Sequence, residues 1–527
     1  MKNIYKKLLA ILAIYLVIFI LFQPQKKNFP LNDDWVYSYS VSHFLDTGAI
    51  KINDWNAATT VFQIWWGILF SKVFGFSLGN LKIAVLILSF AGAIFSFLML
   101  EQLEYKHTLF PVILLIFNPI YFLLSVSFMS DVPYLSMFIA AVYFYLKGIL
   151  EDREGYVFIG SIFAAFAYLT RQLGILIPVG IFCYFIFFDR KKLSIKSFFT
   201  IILVPLLVFI AHWYWFNYIH GLTWVSKAGL VSALAPDKFY FRFVSALFYF
   251  GLFALPYSFI KSIKTTEKLS MWKPLAVISL SFLLFIHLLV YNVLPFFDNS
   301  MHKSGLGTLT ISGMGLKDAF LLSSNNFWII LTILCGISVI LVFNKLLKGN
   351  FSKGELIVII SCLIQFFVSA IRFKFFDRYL LVLLPLAVLF AAKFINFKKL
   401  SAKIVFSMIL IFMTAYSFLG TKDYLTWNHA KWDLGNKLIS DFGYKPEEIA
   451  NGFDWDGFYT FQPNIEKLLS LKVPKDIGDW EWQSLNPYKV IVSYDPAQPK
   501  YLFVADGEYY DWLAFKQRKL YAWKLQN

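Results

Sequence analysis

The chain has 527 residues, of which 59% are hydrophobic, 15% are charged and 60 are phenylalanine. So little charge cannot cover a soluble surface, which excludes an ordinary soluble protein and leaves one solvated by lipid. The formal net charge of +16 would suit nucleic acid, but the basic residues gather in short connections between apolar runs, which argues against that partner.

Leu8–Phe22 is the first apolar run, preceded by Lys2, Lys6 and Lys7 and followed by Gln23-Pro24 without a small-residue cleavage site. It reads as a retained signal anchor. The apolar stretch 57–74 reads as an amphipathic helix lying in the membrane interface. Longer runs follow near 80–103, 108–124, 130–147, 156–170, 173–188, 198–218, 240–260, 274–294, 325–344, 355–371, 379–396 and 402–419, giving about 13 transmembrane helices with the first. Cys183, Cys335 and Cys362 fall inside these runs and read as small core residues. Basic clusters at Arg190-Lys191-Lys192, at Lys261 with Lys264 and Lys268, at Lys345 with Lys348, and at Lys398-Lys399 mark cytoplasmic loops. Numbering from a cytoplasmic N-terminus puts every cluster on that side.

After about Thr421 the composition turns to Trp, Asp, Lys and Tyr. Trp432–Phe442 reads as a short amphipathic helix, and Tyr488–Tyr494 and Tyr501–Ala505 read as strands. The expected fold is an all-α polytopic membrane protein over 1–420, with a first outer loop at 23–79. A small α/β extracytoplasmic domain follows over 421–527.

The outer face receives the candidate chemistry. Asp33 and Asp34 follow the first helix, and two adjacent carboxylates there suit a base that takes a proton from a hydroxyl group. Asp131 begins a helix in Ser130-Asp131-Val132-Pro133, where a simple N-cap would account for it equally. Arg171 interrupts two apolar runs with a charge that lipid would penalise by roughly 3 kcal/mol; a snorkelling interfacial arginine is the plainer reading. Arg372, Lys374 and Arg378 crowd one short turn where the positive-inside bias wants none. That points to an anion such as phosphate, unless Asp377 pairs with one of the arginines. His43 with Asp46, and His212 with His220, carry weaker claims. Trp65, Trp66, Trp213 and Trp215 read as an interfacial belt. The segment Asn451–Gly457 reads as a polar, aromatic turn that either touches carbohydrate or is plain turn chemistry. Nucleotide loops and zinc motifs find no match.

In order along the chain, Asp33-Asp34-Trp35-Val36-Tyr37, Ser130-Asp131-Val132-Pro133-Tyr134-Leu135, Leu169-Thr170-Arg171-Gln172, and Arg378-Tyr379-Leu380-Leu381 leading into Leu384-Pro385-Leu386 resemble the GT-C membrane glycosyltransferases. Within these, the pattern resembles the family that contains protein O-mannosyltransferases and lipid A aminoarabinose transferases (glycosyltransferase family 39). The pattern departs from the family where Asp34 replaces Glu and where Ala57-Ala58-Thr59-Thr60 replaces Pro-Pro-Leu, as in a distant branch. The resemblance implies a polyprenyl-phosphate-linked sugar donor and an acceptor hydroxyl on a glycolipid, polysaccharide or protein. It implies an inverting transfer with Asp33 as base, and Asp34 and Asp131 positioning the acceptor or a cation. Arg171, Arg372, Lys374 and Arg378 would bind the donor phosphate. No cofactor is required; a divalent metal is compatible with the carboxylates. The expected location is a bacterial inner membrane, with active site and C-terminal domain extracytoplasmic. The competing reading is a transporter or flippase for a lipid-linked or charged solute, against which the helix interiors are almost free of charge. A non-catalytic assembly protein would not need so many helices.

Overall fold

Long apolar runs become helices because a helix pairs every backbone N–H and C=O within its own segment, as hydrocarbon demands. The computed structural model describes residues 2–229, 234–260, 272–291, 293–311, 317, 324–372, 374–395, 397 and 399–525. Lys261, Lys264, Lys268 and Lys398 of the expected basic clusters lie outside them. The helices are α1 (Lys2–Phe22), α2 (Asp34–Thr47), α3 (Val61–Phe74), α4 (Leu78–Gln102), α5 (Leu109–Ile116), α6 (Pro119–Ser125), α7 (Asp131–Glu151), α8 (Glu154–Thr170) and α9 (Leu176–Phe188). They continue with α10 (Ile195–Tyr214), α11 (Trp224–Lys227), α12 (Phe239–Ser258), α13 (Trp272–Tyr291), α14 (Asn325–Leu347), α15 (Lys353–Ala370), α16 (Leu384–Phe394), α17 (Leu400–Ser440) and α18 (Phe453–Leu471).

Among the described residues nine helices are long and apolar enough to cross a membrane: α1, α4, α7, α10, α12, α13, α14, α15 and α17. The other expected spans are helical but shorter or broken. α8 has 17 residues and α9 has 13. The run at 108–124 divides into α5 and α6, because Asn118 accepts from the Ile120 and Tyr121 amides and Pro119 opens the next helix. The run at 379–396 begins as a tight 3-10 turn over Asp377–Leu383 before α16. α3 exposes Trp65, Leu69, Val73 and Phe74, so its outer face is as apolar as its buried one.

α7 lies innermost, with 89% of its apolar window buried, against 11% for α10 and for α13. Peripheral helices expose large apolar side chains, among them Phe199 and Leu207 of α10 and Ile278 and Phe282 of α13. Water would penalise such a surface and lipid does not. Cys335 and Cys362 are buried in helices, Cys183 is half-buried, and all three are free thiols.

Contacts sort the connections into two ends of the bundle. At one end Lys7 pairs with Glu101 at 2.7 Å, Lys192 with Asp152 at 2.7 Å, and Lys353 with Asp189 at 2.9 Å. At the other end the first long loop is tied to the end of α8 and the turn that follows it. The Thr60 amide donates to Thr170 O at 3.1 Å, Gln172 Nε2 to Ala57 O at 2.9 Å, and Thr59 Oγ1 to Tyr168 O at 2.5 Å.

α17 carries 41 residues without a break, so the expected boundary at 420/421 falls inside it. Its first half exposes Ile404, Met408 and Ile411, whereas its second half buries Thr421, Asp423, Asn428 and Lys431. The composition shift records new surroundings along one helix. The expected helix at 432–442 is the end of α17. Earlier in the chain β1 (Met301–His302) and β2 (Gly305–Leu306) form a short antiparallel pair; beyond α17 stand β3 (Ile449–Ala450), α18, β4 (Val490–Ser493), β5 (Tyr501–Asp511) and β6 (Lys516–Leu525), in a sheet ordered β3-β4-β6-β5. β3 runs parallel to β4, and the other pairs are antiparallel. The segment Asn451–Gly457 is the start of α18 rather than a free turn; Asp454 binds Lys431 and accepts from Trp432 Nε1 at 2.8 Å.

Gly457 lets α18 lie against α2, because a Cβ there would overlap the Trp35 indole. Gly457→Ala should therefore cost about 1–3 kcal/mol as an overpacked contact. The expected result is a lower melting temperature in detergent and faster proteolysis of the C-terminal region. An unchanged melt would remove this contact from the account.

Candidate active site

The site is assembled where the first long loop meets the ends of α7, α8 and α15. Lys82 of α4 is buried, and its ammonium donates to the Lys27 and Phe29 carbonyls, fixing the loop before α2. Asn32, with φ 51°, turns the chain into α2. Successive helical residues point about 100° apart, and here the two adjacent carboxylates at the start of α2 part. Asp33 opens onto a cavity, its side chain 17% exposed. Asp34 turns inward, wholly buried, and its Oδ1 accepts from the Phe128 amide at 3.0 Å.

Two arginines face the outward carboxylate. Arg378 Nη2 donates to Asp33 Oδ2 at 3.2 Å, and its Nε lies 4.0 Å from Asp131 Oδ2. Arg171 Nη2 lies 2.9 Å from Asp131 Oδ1, and its Nε donates to Ser130 Oγ at 3.1 Å. Tyr379 stacks beneath both guanidinium groups, at 5.2 Å from Arg171 and 5.8 Å from Arg378. Asp131 is buried at the start of α7 behind the cavity wall. It holds the two arginines and does not act as a helix cap through its own side chain. Asp377 does not pair with an arginine side chain. Its carboxylate accepts from the Ser300, Met301 and Arg378 amides at 3.0, 2.7 and 2.7 Å, so it fixes the backbone of this turn instead.

The electrostatics follow from this arrangement. Burial pushes the Asp33 carboxyl above its ordinary range; Arg378 pulls it back and Asp131 adds to the rise. Burial likewise raises Asp34 against the pull of Lys82 and the Phe128 amide. Burial alone would lower the Arg378 guanidinium, yet Asp131 and then Asp33 carry it above its usual value. Arg372 is held below its usual value by burial, with the Arg171 cation adding to the effect. Cations crowded in this way favour an anion among them.

The cavity has a volume of about 620 Å³, within the usual size of small-molecule sites. Asp33, Arg171, Arg372, Lys374 and Arg378 all line it, whereas Asp34 and Asp131 do not. Lys374 is partly exposed and pairs with Asp479 at 2.8 Å. Trp55, Phe453, Trp480 and Gln483 also line it. Those residues escaped the sequence reading, since aromatic residues are spread throughout the chain and nothing in their spacing links 55 to 480. His43 and Asp46 lie off the cavity. His220 Nε2 accepts from the Ile52 amide at 2.8 Å and His212 pairs with the Tyr168 hydroxyl at 3.0 Å, so both are structural. Among the described residues no three His, Cys, Asp or Glu side chains are placed to hold a metal ion.

Residues 60–215 match the family model of dolichyl-phosphate-mannose-protein mannosyltransferases, which bears out over that segment the resemblance read from the sequence. A solved structure of ArnT from Cupriavidus metallidurans bound to undecaprenyl phosphate is similar over 98% of this chain and 97% of that one. Its sequence identity is 12% and its TM-score 0.43. No curated protein matches the chain.

The divergence of the two aspartates is testable by stability alone. Asp34→Ala orphans the buried Phe128 amide, a loss of about 1–3 kcal/mol before the Lys82 charge is considered. Its melting temperature in detergent should fall by several degrees, and by more than that of Asp33→Asn, whose side chain opens onto the cavity and leaves Arg378 its second partner Asp131. Equal melting of Asp34→Ala and wild type would show that Asp34 has no structural role.

Proposed function

We propose that the protein is an integral-membrane glycosyltransferase that moves a sugar from a polyprenyl-phosphate carrier to an acceptor hydroxyl, with Asp33 as general base. One observation carries the reading: the Asp33 carboxylate stands on the wall of a cavity that also presents Arg171, Arg372, Lys374 and Arg378. A proton acceptor beside an anion site is what transfer from a phosphate-linked donor needs, and the family match over 60–215 supports the same reaction class.

The acceptor oxygen attacks the anomeric carbon as its proton passes to Asp33. The bond from that carbon to the phosphate oxygen breaks, and the electron pair leaves with the polyprenyl phosphate. Negative charge grows on the departing phosphate, where preplaced guanidinium groups stabilise it most. Attack opposite the leaving group inverts the anomeric centre. Asp131 acts through Arg171 and Arg378, holding both in place; Asp34 is a positioning residue for the loop that carries Asp33. The raised Asp33 carboxyl is the better base for its burial, since proton affinity rises with pKa. A cavity at the outer end of the bundle would place the reaction on the extracytoplasmic face of a bacterial inner membrane.

The direct test is sugar transfer by the purified protein from a panel of radiolabelled polyprenyl-phosphate sugars to a cell-envelope extract. Asp33→Asn should lower kcat by about 10²–10⁴-fold with donor binding retained. Full activity in that variant would refute Asp33 as base, and no transfer with any donor would refute the reaction class.

The pH profile tests the same group. Asp33 must be ionised to act, so activity falls as pH falls through its pKa, and the acid limb should lie above the ordinary aspartate value of about 3.9. Arg378 lowers that pKa, so Arg378→Gln should move the limb to higher pH as well as weaken donor binding. A limb that moves to lower pH, or stays fixed, would separate Asp33 from the rate.

A further inference from the structure

A second cavity, of about 910 Å³, lies at the opposite end of the bundle from the candidate active site. It is framed by the connection from α4 to α5, the end of α14, the end of α16 and the start of α17. The distance follows from α17: Ser407 lines this cavity, while Tyr424 lies beside Arg378 at the other end. Seventeen helical residues span roughly 25 Å.

The walls are strongly basic. Lys106, His107, Lys345, Lys348, Lys393 and Lys403 line the cavity, against Glu104 as its one acidic residue. Lys393 is neutralised by Glu355 at 2.7 Å. Lys345 is buried, and its ammonium donates to the Tyr257 and Ser258 carbonyls at 3.2 and 2.8 Å. Among the described residues no carboxylate comes within ion-pair distance of Lys106, Lys345, Lys348 or Lys403. Burial, Lys106 and Lys7 together hold the His107 imidazole below its usual range, in keeping with a positive surrounding potential.

Much of the rest of the lining is aromatic, with Tyr105, Phe110, Phe394, Phe397 and Phe406. Phe110, Phe397 and Phe406 form a cluster with ring centroids 5.1, 5.2 and 5.8 Å apart. Phe394 lies 5.5 Å from the Lys345 ammonium. A free anion in water needs no such floor. An amphiphile with a phosphate at its head needs both halves, and a basic recess between helix ends, about one hydrocarbon thickness from the other site, puts the head where lipid phosphates lie.

We propose that this cavity is a second binding site, for the phosphate headgroup of an anionic membrane lipid. It is separate from the donor site and does not depend on the reaction assigned there. Lys106, Lys348 and Lys403 supply the charge, Lys345 fixes the end of α14 beneath them, and the phenylalanine cluster receives the upper acyl chain.

The experiment measures retention of phosphatidylglycerol and phosphatidylcholine by the purified full-length protein in neutral detergent, using native mass spectrometry. Wild type should hold phosphatidylglycerol in preference to phosphatidylcholine. Lys348→Gln should weaken that binding roughly fivefold, and the triple Lys106→Gln/Lys348→Gln/Lys403→Gln by tenfold or more. A charge-matched triple on the exposed C-terminal region, Lys437→Gln/Lys475→Gln/Lys500→Gln, should bind as wild type, and millimolar inorganic phosphate should not displace the lipid. Melting without lipid checks that each variant is folded, and the single variant carries the test if the triple is not. Equal retention of the two lipids, equal loss in both triples, unchanged binding in the single and triple variants, or displacement by inorganic phosphate would each overturn the assignment.

Discussion

Arg378 between Asp33 and Asp131 is the interaction on which the rest of the site depends. Each of these charges would be costly alone in a bundle of this composition, and each is tolerable because the others are there. The arrangement joins three separate parts of the chain: the start of α2, the start of α7 and the turn before α16. Arg171 extends it to the end of α8 through the same Asp131 carboxylate. Asp377, one residue before Arg378, holds the turn by accepting three backbone amides. The orientation of Arg378 is therefore set by backbone as well as by charge. A preorganised cation is worth more to a developing phosphate charge than a mobile one, because nothing must be reoriented when the charge appears.

The same arrangement accounts for how the proposed base can stand beside the proposed anion site. A carboxylate next to a phosphate would repel it, and a cation next to a base would quench its basicity. Burial raises Asp33 while Arg378 lowers it, and the balance leaves the carboxyl above its ordinary range. Arg372 and Lys374 line the same cavity in addition to Arg378, so the proposed anion site does not rest only on the group that tempers the proposed base. The C-terminal region completes the enclosure. Phe453 and Trp480 line the same cavity, and the packing of Gly457 on Trp35 holds α18 against the helix that begins at Asp34.

Much of this was legible in the chain itself, and the parts that were not share a cause. Arg372, Lys374 and Arg378 stood out because they break a charge bias, and the structure puts all three on one wall. Asp131 and Arg171 were legible as charges that apolar neighbours cannot explain. Asp33 and Asp34 looked like one unit because they are adjacent, yet helix geometry sends one to the cavity and the other to the Phe128 amide. The break between α5 and α6 was written in Asn118-Pro119, but the unbroken hydrophobicity around it hid the capping signal. At residue 420 the change in composition was real and its meaning was not a boundary, since α17 passes from apolar to polar surroundings without interruption. Trp480 and Gln483 could not be placed, because only the tertiary packing of α18 and the segment after it brings them to Asp33.

The basic clusters show how one signal serves two purposes. Lys345 and Lys348 stood out as markers of a cytoplasmic loop, a statement about sidedness that needs no structure around them. The fold adds that the ends of α14 and α16 and the start of α17 converge, so loop charges from distant parts of the sequence line one recess with Lys106 and Lys403. α15, α16 and α17 each run from the neighbourhood of one cavity to that of the other, and helix length alone sets their separation. Between the two ends the helices carry few charges because nothing there could compensate them. Both cationic recesses sit at the ends of the bundle, where a bilayer presents phosphate; on the readings proposed above, one takes a lipid that reacts and the other a lipid that stays.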